Sequence, residues 1–420
     1  MSNFNIPIDT GITGGQLNGF GDGAAVDAFA RLRVSNPVTL FDSKQLYDKQ
    51  PLIWSELTGS GGSFNYNSNR ASTTLITDGT NGASATRQTK QRINYQPGKS
   101  LLIFSTFVLG AAGNNVRKRV GFFETNNGLF LQQTLSNLSF VRRTYVGGSI
   151  SEETVNQALW NLDPLNGSGP SGINLDVTKS QIMVTDIEWL GVGRVRMGFV
   201  IDGIPIYAHE FLHANILDSV YMSTPNLPIR YEITNTAAGD AGSLEQICST
   251  AISEGGYNEL GILRTANRNA TGIGFTSGTG LVPIISLRLK SGYIGATVFP
   301  VDFSIACDAA TTYLWQLILN PTVAGVDAAS WVNLTNSAVE YDVSRTTTNV
   351  LTGGTVIKSG YVVGQGNTVS TAGSGDLRSL LVMSADINNV QDQLVLAVRR
   401  IDSGGSNVNY FGAISWREMP

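Results

Sequence analysis

The chain of 420 residues holds two histidines, His209 and His213, and both fall in "IYAHEFLHAN" (206–215) with Glu210 between them. On a helix, H-E-x-x-H is a zinc-hydrolase arrangement. At i and i+4 two imidazoles emerge on one face about 6 Å apart and can share an ion, while the glutamate polarises the bound water. On a strand the same positions also share a face, but at about 3.3 Å per residue they stand roughly 13 Å apart and cannot. The chemistry therefore depends on the local backbone. Pro205, after Asp202 and Gly203, suits a helix start, and Ile206, Tyr207, Phe211, Leu212, Ile216 and Leu217 could form an apolar stripe. Against this, "VRMGFVIDGIPIYAHE" (195–210) reads as a hairpin pivoting on Asp202-Gly203, with 204–209 pairing back onto 196–201. A third ligand is also wanting. The position of a third histidine is Ser219, and the acidic substitutes Glu232 and Glu245 lie in strand-like segments. The expectation is that His209, Glu210 and His213 hold no metal and catalyse nothing, the imidazoles being hydrogen-bonding groups near a sheet edge. No cofactor is expected.

A second constellation is acidic. Asp186, Glu188, Asp202 and Glu210 could approach one sheet face, as a glycosidase pair would. Alternation puts Asp186 and Glu188 on the same side, although strand carboxylates of this kind are usually solvated. Six tryptophans could supply a sugar platform and more often fill cores. There is no P-loop and no G-x-S-x-G.

The elements that must carry these residues are strands. Charged residues make up 14% of the chain, and there are 47 glycines and no long helix-forming runs, which favours short strands joined by Gly/Asn turns. "SLLIFSTFVL" (100–109) reads as a buried strand, and "KRVGFFETNNGLFLQQT" (118–134) as a hairpin around Asn126-Asn127-Gly128. "LSFVRRTYV" (138–146), 180–207, "LPIRYEITN" (227–235) and "LEQICSTAISEGGY" (244–257) follow. In 180–207, Val195, Met197, Phe199 and Ile201 are predicted to face inward, with Arg194 and Arg196 outward. Further strands are predicted at 282–289, 297–306, 312–319, 338–343, 355–363, 379–386, 393–401 and 409–416, with a possible helical turn at Asn388 to Asp392.

Residues 1–58 read differently. Large apolar residues are spaced irregularly among glycines, as in an arm lying across another surface. Its anchors are Phe20, Phe29, Leu32, Leu40, Phe41, Tyr47 and Trp54. The expected organisation is all-β: an extended N-terminal arm (1–58) making assembly contacts, then two tandem β-sandwiches (59–258 and 259–420). The net charge of −4 favours neither nucleic acid nor an anionic membrane surface as partner. Cys248 and Cys307 are far apart and read as two buried thiols. The N-terminus has neither the basic nor the apolar region of a secretion signal, which predicts synthesis in a cytoplasm.

Several segments resemble a family of tailed-bacteriophage virion proteins: "DAFARLRVSNPVTLFDSKQLYDKQPLIW" (27–54), "YQPGKSLLIFSTF" (95–107), "RVGFFETNNGLFL" (119–131), "DIEWLGVGRVRMGFVIDG" (186–203), "HEFLHANILDSVYMSTPNLPIRYEI" (209–233) and "QICSTAISEGGY" (246–257). The resemblance covers roughly residues 22–258. It implies a lectin-like, jelly-roll or concanavalin-type sandwich for 59–258 and a structural place in a virion assembled in a host cytoplasm. The implied partners are other virion proteins and further copies of the chain. It supplies no catalytic residues. The alternatives are a carbohydrate-binding adhesin that takes a surface glycan and the zinc hydrolase already described.

Overall fold

The computed structural model describes residues 36–268, 271–325, 327–364 and 381–419. The first body has fifteen strands: β1 (Val38–Lys44), β2 (Trp54–Thr58), β3 (Gly62–Asn67), β4 (Ser72–Thr77), β5 (Ser84–Thr89), β6 (Leu101–Val108), β7 (Val116–Phe123), β8 (Gly128–Gln133), β9 (Leu138–Thr144), β10 (Ser151–Asn156), β11 (Gln181–Ile187), β12 (Val195–Ile201), β13 (Ile204–Phe211), β14 (Ile229–Asn235) and β15 (Gly242–Ser253). An eight-stranded sheet runs β13-β12-β11-β6-β15-β4-β3, with β1 also on β15, and a seven-stranded sheet runs β10-β9-β8-β7-β14-β5-β2. All these pairs are antiparallel.

Side chains alternate across each strand, so one row per strand points between the sheets. Ile103, Phe107, Met183, Met197 and Phe199 from the first sheet meet Val120, Phe122, Leu129, Leu131, Phe140 and Ile233 from the second, all of them buried. Burying each such side chain contributes roughly 1.5–3 kcal/mol. The inward set predicted for β12 lies in or against this core, and Arg194 and Arg196 face out.

The arm needs correction. Residues 38–58 belong to the first sandwich, Val38 pairing with Ser253 along β1 and Trp54 with Thr89 along β2. Phe41 and Trp54 anchor the segment to its own core, where Trp54 meets Phe41 and Tyr231 edge-on and donates its indole N–H to Ser43 Oγ at 2.8 Å. Leu40 packs against the same core, whereas Tyr47 is 93% exposed. The irregular spacing came from two short strands joined by a loop in which Gln50 takes φ +53°. Phe20, Phe29 and Leu32 lie outside the described residues.

The second body begins with the strand Ile262–Asn267. A four-stranded sheet is centred on Val408–Met419. A six-stranded one holds Val282–Leu289, Gln393–Arg400, Thr311–Leu319 and the edge strand Thr355–Gly364. Tyr313, Ile414, Tyr410, Trp416 and Leu287 fill its core. The strand expected at 379–386 is absent over the described part, where two isolated bridges, Val298 to Met383 and Ala385 to Gln391, stand instead. The helical turn is a tight turn with Asn389 at φ +63°. The bodies touch where Arg92 and Asn226 each donate at 3.5 Å to the carbonyls of Ile294 and Gly295, and where Ile387 N donates to Ser55 Oγ at 3.1 Å.

Candidate functional site

The chain from Ile204 to Phe211 is a strand. Asp202 (φ +52°) and Gly203 (φ +80°) form the two-residue turn that sets β13 against β12, Ile201 opposite Ile204. The register then slips: Met197 faces His209 while Gly198 faces Tyr207, so Ala208 is an extra, bulged residue. The bulge lets Ala208 and His209 both turn inward, and His209 is 6% exposed. A side chain on Gly198 would be forbidden here, since its Cβ would come within 2.0 Å of the Ile206 carbonyl oxygen.

β13 is an edge strand, and the segment after β10 covers it. The Ala208 carbonyl accepts from Leu162 N and Asp163 N at 3.1 and 3.0 Å, and His209 Nδ1 accepts from Asn161 N at 3.3 Å. Asn161 also exchanges two hydrogen bonds with the Glu210 backbone, both 2.9 Å. His213 lies past the strand. Its Nδ1 bonds the Gly193 carbonyl at 2.6 Å, and its ring stacks on Tyr221 at 4.1 Å. Glu210 pairs with Arg194 at 3.6 Å. The two imidazoles thus serve different neighbours. Glu232 is ion-paired to arginines, and Glu245 is ion-paired to Arg70 and accepts from the Ser72 hydroxyl. Among the described residues no three His, Cys, Asp or Glu side chains are grouped to hold a metal ion. Burial lowers the pKa of both histidines.

The open space lies on the outer face of the eight-stranded sheet. One row crosses it as Asp42, Thr250, Phe104, Val184, Gly198 and Tyr207, and the next as Ile252, Leu102, Asp186, Arg196 and Glu210. Two clefts sit on this face. The first, of about 200 Å³, is bounded by Asp42, Lys44, Phe104, Thr106, Cys248 and Thr250. Cys248 is exposed there, contrary to the buried thiol expected, because the bulge in β15 between Gln246 and Ser249 turns that stretch outward. The second cleft, of about 240 Å³, is polar and lies where β6, β11, β12 and β15 end. Lys99, Ser100, Asp186, Glu188, Arg194, Arg196 and Glu254 line it.

Asp186 and Glu188 do share this cleft, as alternation predicts. Glu210 is in the same row through Arg196, and Asp202 is at the far end of the hairpin, six residues and roughly 20 Å along β12. Asp186 Oδ2 accepts from Arg196, at 3.0 Å from Nε and also from Nη2, and from the Tyr207 hydroxyl at 3.4 Å. Arg196 lies 4.2 Å over the Tyr207 ring. Burial works against its charge, but Asp186 outweighs burial and raises the guanidinium's pKa. What this arrangement can do chemically is present fixed donors and acceptors beside the Tyr207 ring, a pattern suited to hydroxyl groups. The tryptophans do not contribute a platform here: Trp54, Trp160, Trp315 and Trp416 are buried, Trp189 packs against the core, and the part-exposed Trp331 lies in the second body under Arg288.

No protein-family model matches this sequence, and no curated protein matches it. Among solved structures, the CBM2 module of the Lactobacillus casei BL23 phage J-1 evolved Dit aligns at 10% identity over 54% of this chain and 100% of its own, with TM-score 0.35. A legume lectin-like domain from Entamoeba histolytica aligns at 9% identity over 51% of this chain and 97% of its own, with TM-score 0.30. A Bacillus licheniformis β-glucanase aligns at 9% identity over 50% of this chain and 96% of its own, with TM-score 0.31.

Proposed function

We propose that the chain is a non-enzymatic structural component of a phage virion: a capsid decoration or cementing protein, a head fibre, or a tail or baseplate part, assembled in the host cytoplasm. The observation that supports the non-enzymatic half is that, of the side chains offered for catalysis, His209, His213, Glu210 and Asp186 are bonded to other groups of this chain, and Asp202 stands at the far end of the hairpin from Asp186 and Glu188. The virion half rests on the resemblance over residues 22–258, whose segments supply β1, β6, the β7–β8 hairpin, β12, β14 and much of β15. Residues 1–35 are the assembly arm in this reading. Expressed during particle assembly, the intact chain should copurify with particles and a chain lacking residues 1–35 should not. Normal incorporation of the shortened chain would overturn the assignment of the arm, and absence of the intact chain from particles would overturn the function.

A second reading is favoured by the polar cleft: binding of a surface glycan across the outer face of the eight-stranded sheet. A glycan array should then show hits with the intact protein that are lost in Glu188→Ala. An empty array, or hits unchanged by that substitution, argues against it.

A further inference from the structure

The outer face of the seven-stranded sheet carries a cluster that neither the clefts nor the histidines touch. Alternation puts Phe122, Leu129 and Leu131 between the sheets and Phe123 and Phe130 on the other side, where with Val141 they form a separate, fully buried group. Arginines cover it. Arg119 and Arg143 lie 5.0 and 4.9 Å from the Phe130 ring centre, and Arg230 lies 5.4 Å from that of Phe123.

At one end of this roof the charges are matched. Arg143 donates to Glu152 Oε1 at 2.8 Å and to the carbonyls of Glu124 and Thr125 at 2.9 and 3.2 Å. At the other end they are not. Arg119 is opposite Glu232 across β7 and β14, Arg117 is opposite Thr234, and Arg230 is two residues before Glu232. Three guanidiniums therefore converge on one carboxylate. Arg230 reaches it at 2.9 Å, but Arg119 stays at 3.5 Å and Arg117 at 3.8 Å. The last two exceed hydrogen-bond length. Arg119 stands equally far, 3.5 Å, from Glu152, and its hydrogen bond goes to the Gln132 amide oxygen at 2.8 Å. The Nε–H groups of Arg117 and Arg230 are buried without an acceptor. Burial, then the neighbouring Arg117, pushes the Arg119 guanidinium down to about 10.

We propose that Arg117, Arg119 and Arg230 form a site for an exchangeable oxyanion, a phosphate, sulfate or carboxylate group, which supplies the negative charge that Glu232 alone does not. Arginine forks match such groups bidentately, and a second anion lets Arg117 and Arg119 make the short bonds they lack here. Arg117 is part-exposed, so the ligand has a way in.

The test is calorimetric titration of the full chain with inorganic phosphate, sulfate and acetate at constant ionic strength, against chloride. Saturable binding of at least one oxyanion is expected, and the preferred one separates a tetrahedral group from a carboxylate. Arg117→Ala should weaken it about tenfold, the loss of one charge-assisted hydrogen bond. Arg142→Ala, whose ion pair with Glu153 stands apart from this cluster, should leave it unchanged. Glu232→Gln removes the competing carboxylate and should tighten binding several-fold. A purely structural roof gives a less stable protein and no such gain. Binding no stronger than chloride's, or binding indifferent to both Arg117→Ala and Glu232→Gln, overturns the proposal.

Discussion

The two outer faces of the first sandwich start from the same requirement and end differently. Each sheet needs only one face buried to form the sandwich. The eight-stranded sheet leaves its second face open: Gly198 and the threonines Thr106 and Thr250 keep the middle low, and Asp186–Arg196 and Glu210–Arg194 are matched one to one at its end. The seven-stranded sheet closes its second face with two phenylalanines under arginines and leaves three cations around one anion. An open, charge-balanced surface has room for a hydroxylated ligand. A closed, unbalanced one has a place for a single charge.

The sharpest way to break this comparison is truncation beneath the roof. Phe130→Ala should cost about 3–5 kcal/mol, as a core phenylalanine does, because it is fully buried. Trp54→Ala should cost a similar ~3–5 kcal/mol if residues 38–58 are part of the sandwich. Phe104→Ala on the open face should cost clearly less than either. Urea midpoints for the three variants check the order, and a cheap Phe130→Ala would mean that the roof is not a second core.

On the open face, Asp186→Ala leaves Arg196 without its main acceptor and should destabilise by roughly 1–3 kcal/mol. A melting temperature equal to that of the parent would show the pair to be idle. The histidines give a smaller, pH-dependent effect. Burial depresses both imidazoles in the folded chain, so the unfolded chain binds more protons in the acid range and stability rises with pH. Their contribution is complete above the unfolded value of about 6.5 and is lost as pH falls through the folded values. A double His209→Gln/His213→Gln variant should flatten the pH dependence of unfolding below 6.5, and an unaltered slope would contradict the buried, neutral assignment. Least of all, Glu153→Gln, which breaks the exposed pair with Arg142, should change stability by no more than about 1 kcal/mol in the same titrations.

The fold was largely legible because its signals are short-range. Two-residue alternation, Asp202-Gly203 and the Asn126–Gly128 loop each act within a few residues. They placed β6, the β7–β8 and β12–β13 hairpins, β14 and β15, and they decided that His209 stands on a strand. The site was legible only in part. Asp186 and Glu188 fall together as alternation requires, but the arginine roof did not announce itself. Its only trace was the pair of charged runs at 117–119 and 142–143, the second facing Glu152-Glu153 and the first reaching Glu232, which fit solvated strand edges equally well.

Local pattern alone determined β6, the β7–β8 and β12–β13 hairpins, β14 and β15, and which side of β12 is apolar. Tertiary structure decided which strands become neighbours, since β1 meets β15, and β5 and β7 meet β14, only across more than a hundred residues of chain. Those pairings drew the segment of Trp54 onto the core and brought Arg117, Arg119 and Arg230 around Glu232. No periodicity encodes them, because each depends on what the rest of the molecule packs against that strand.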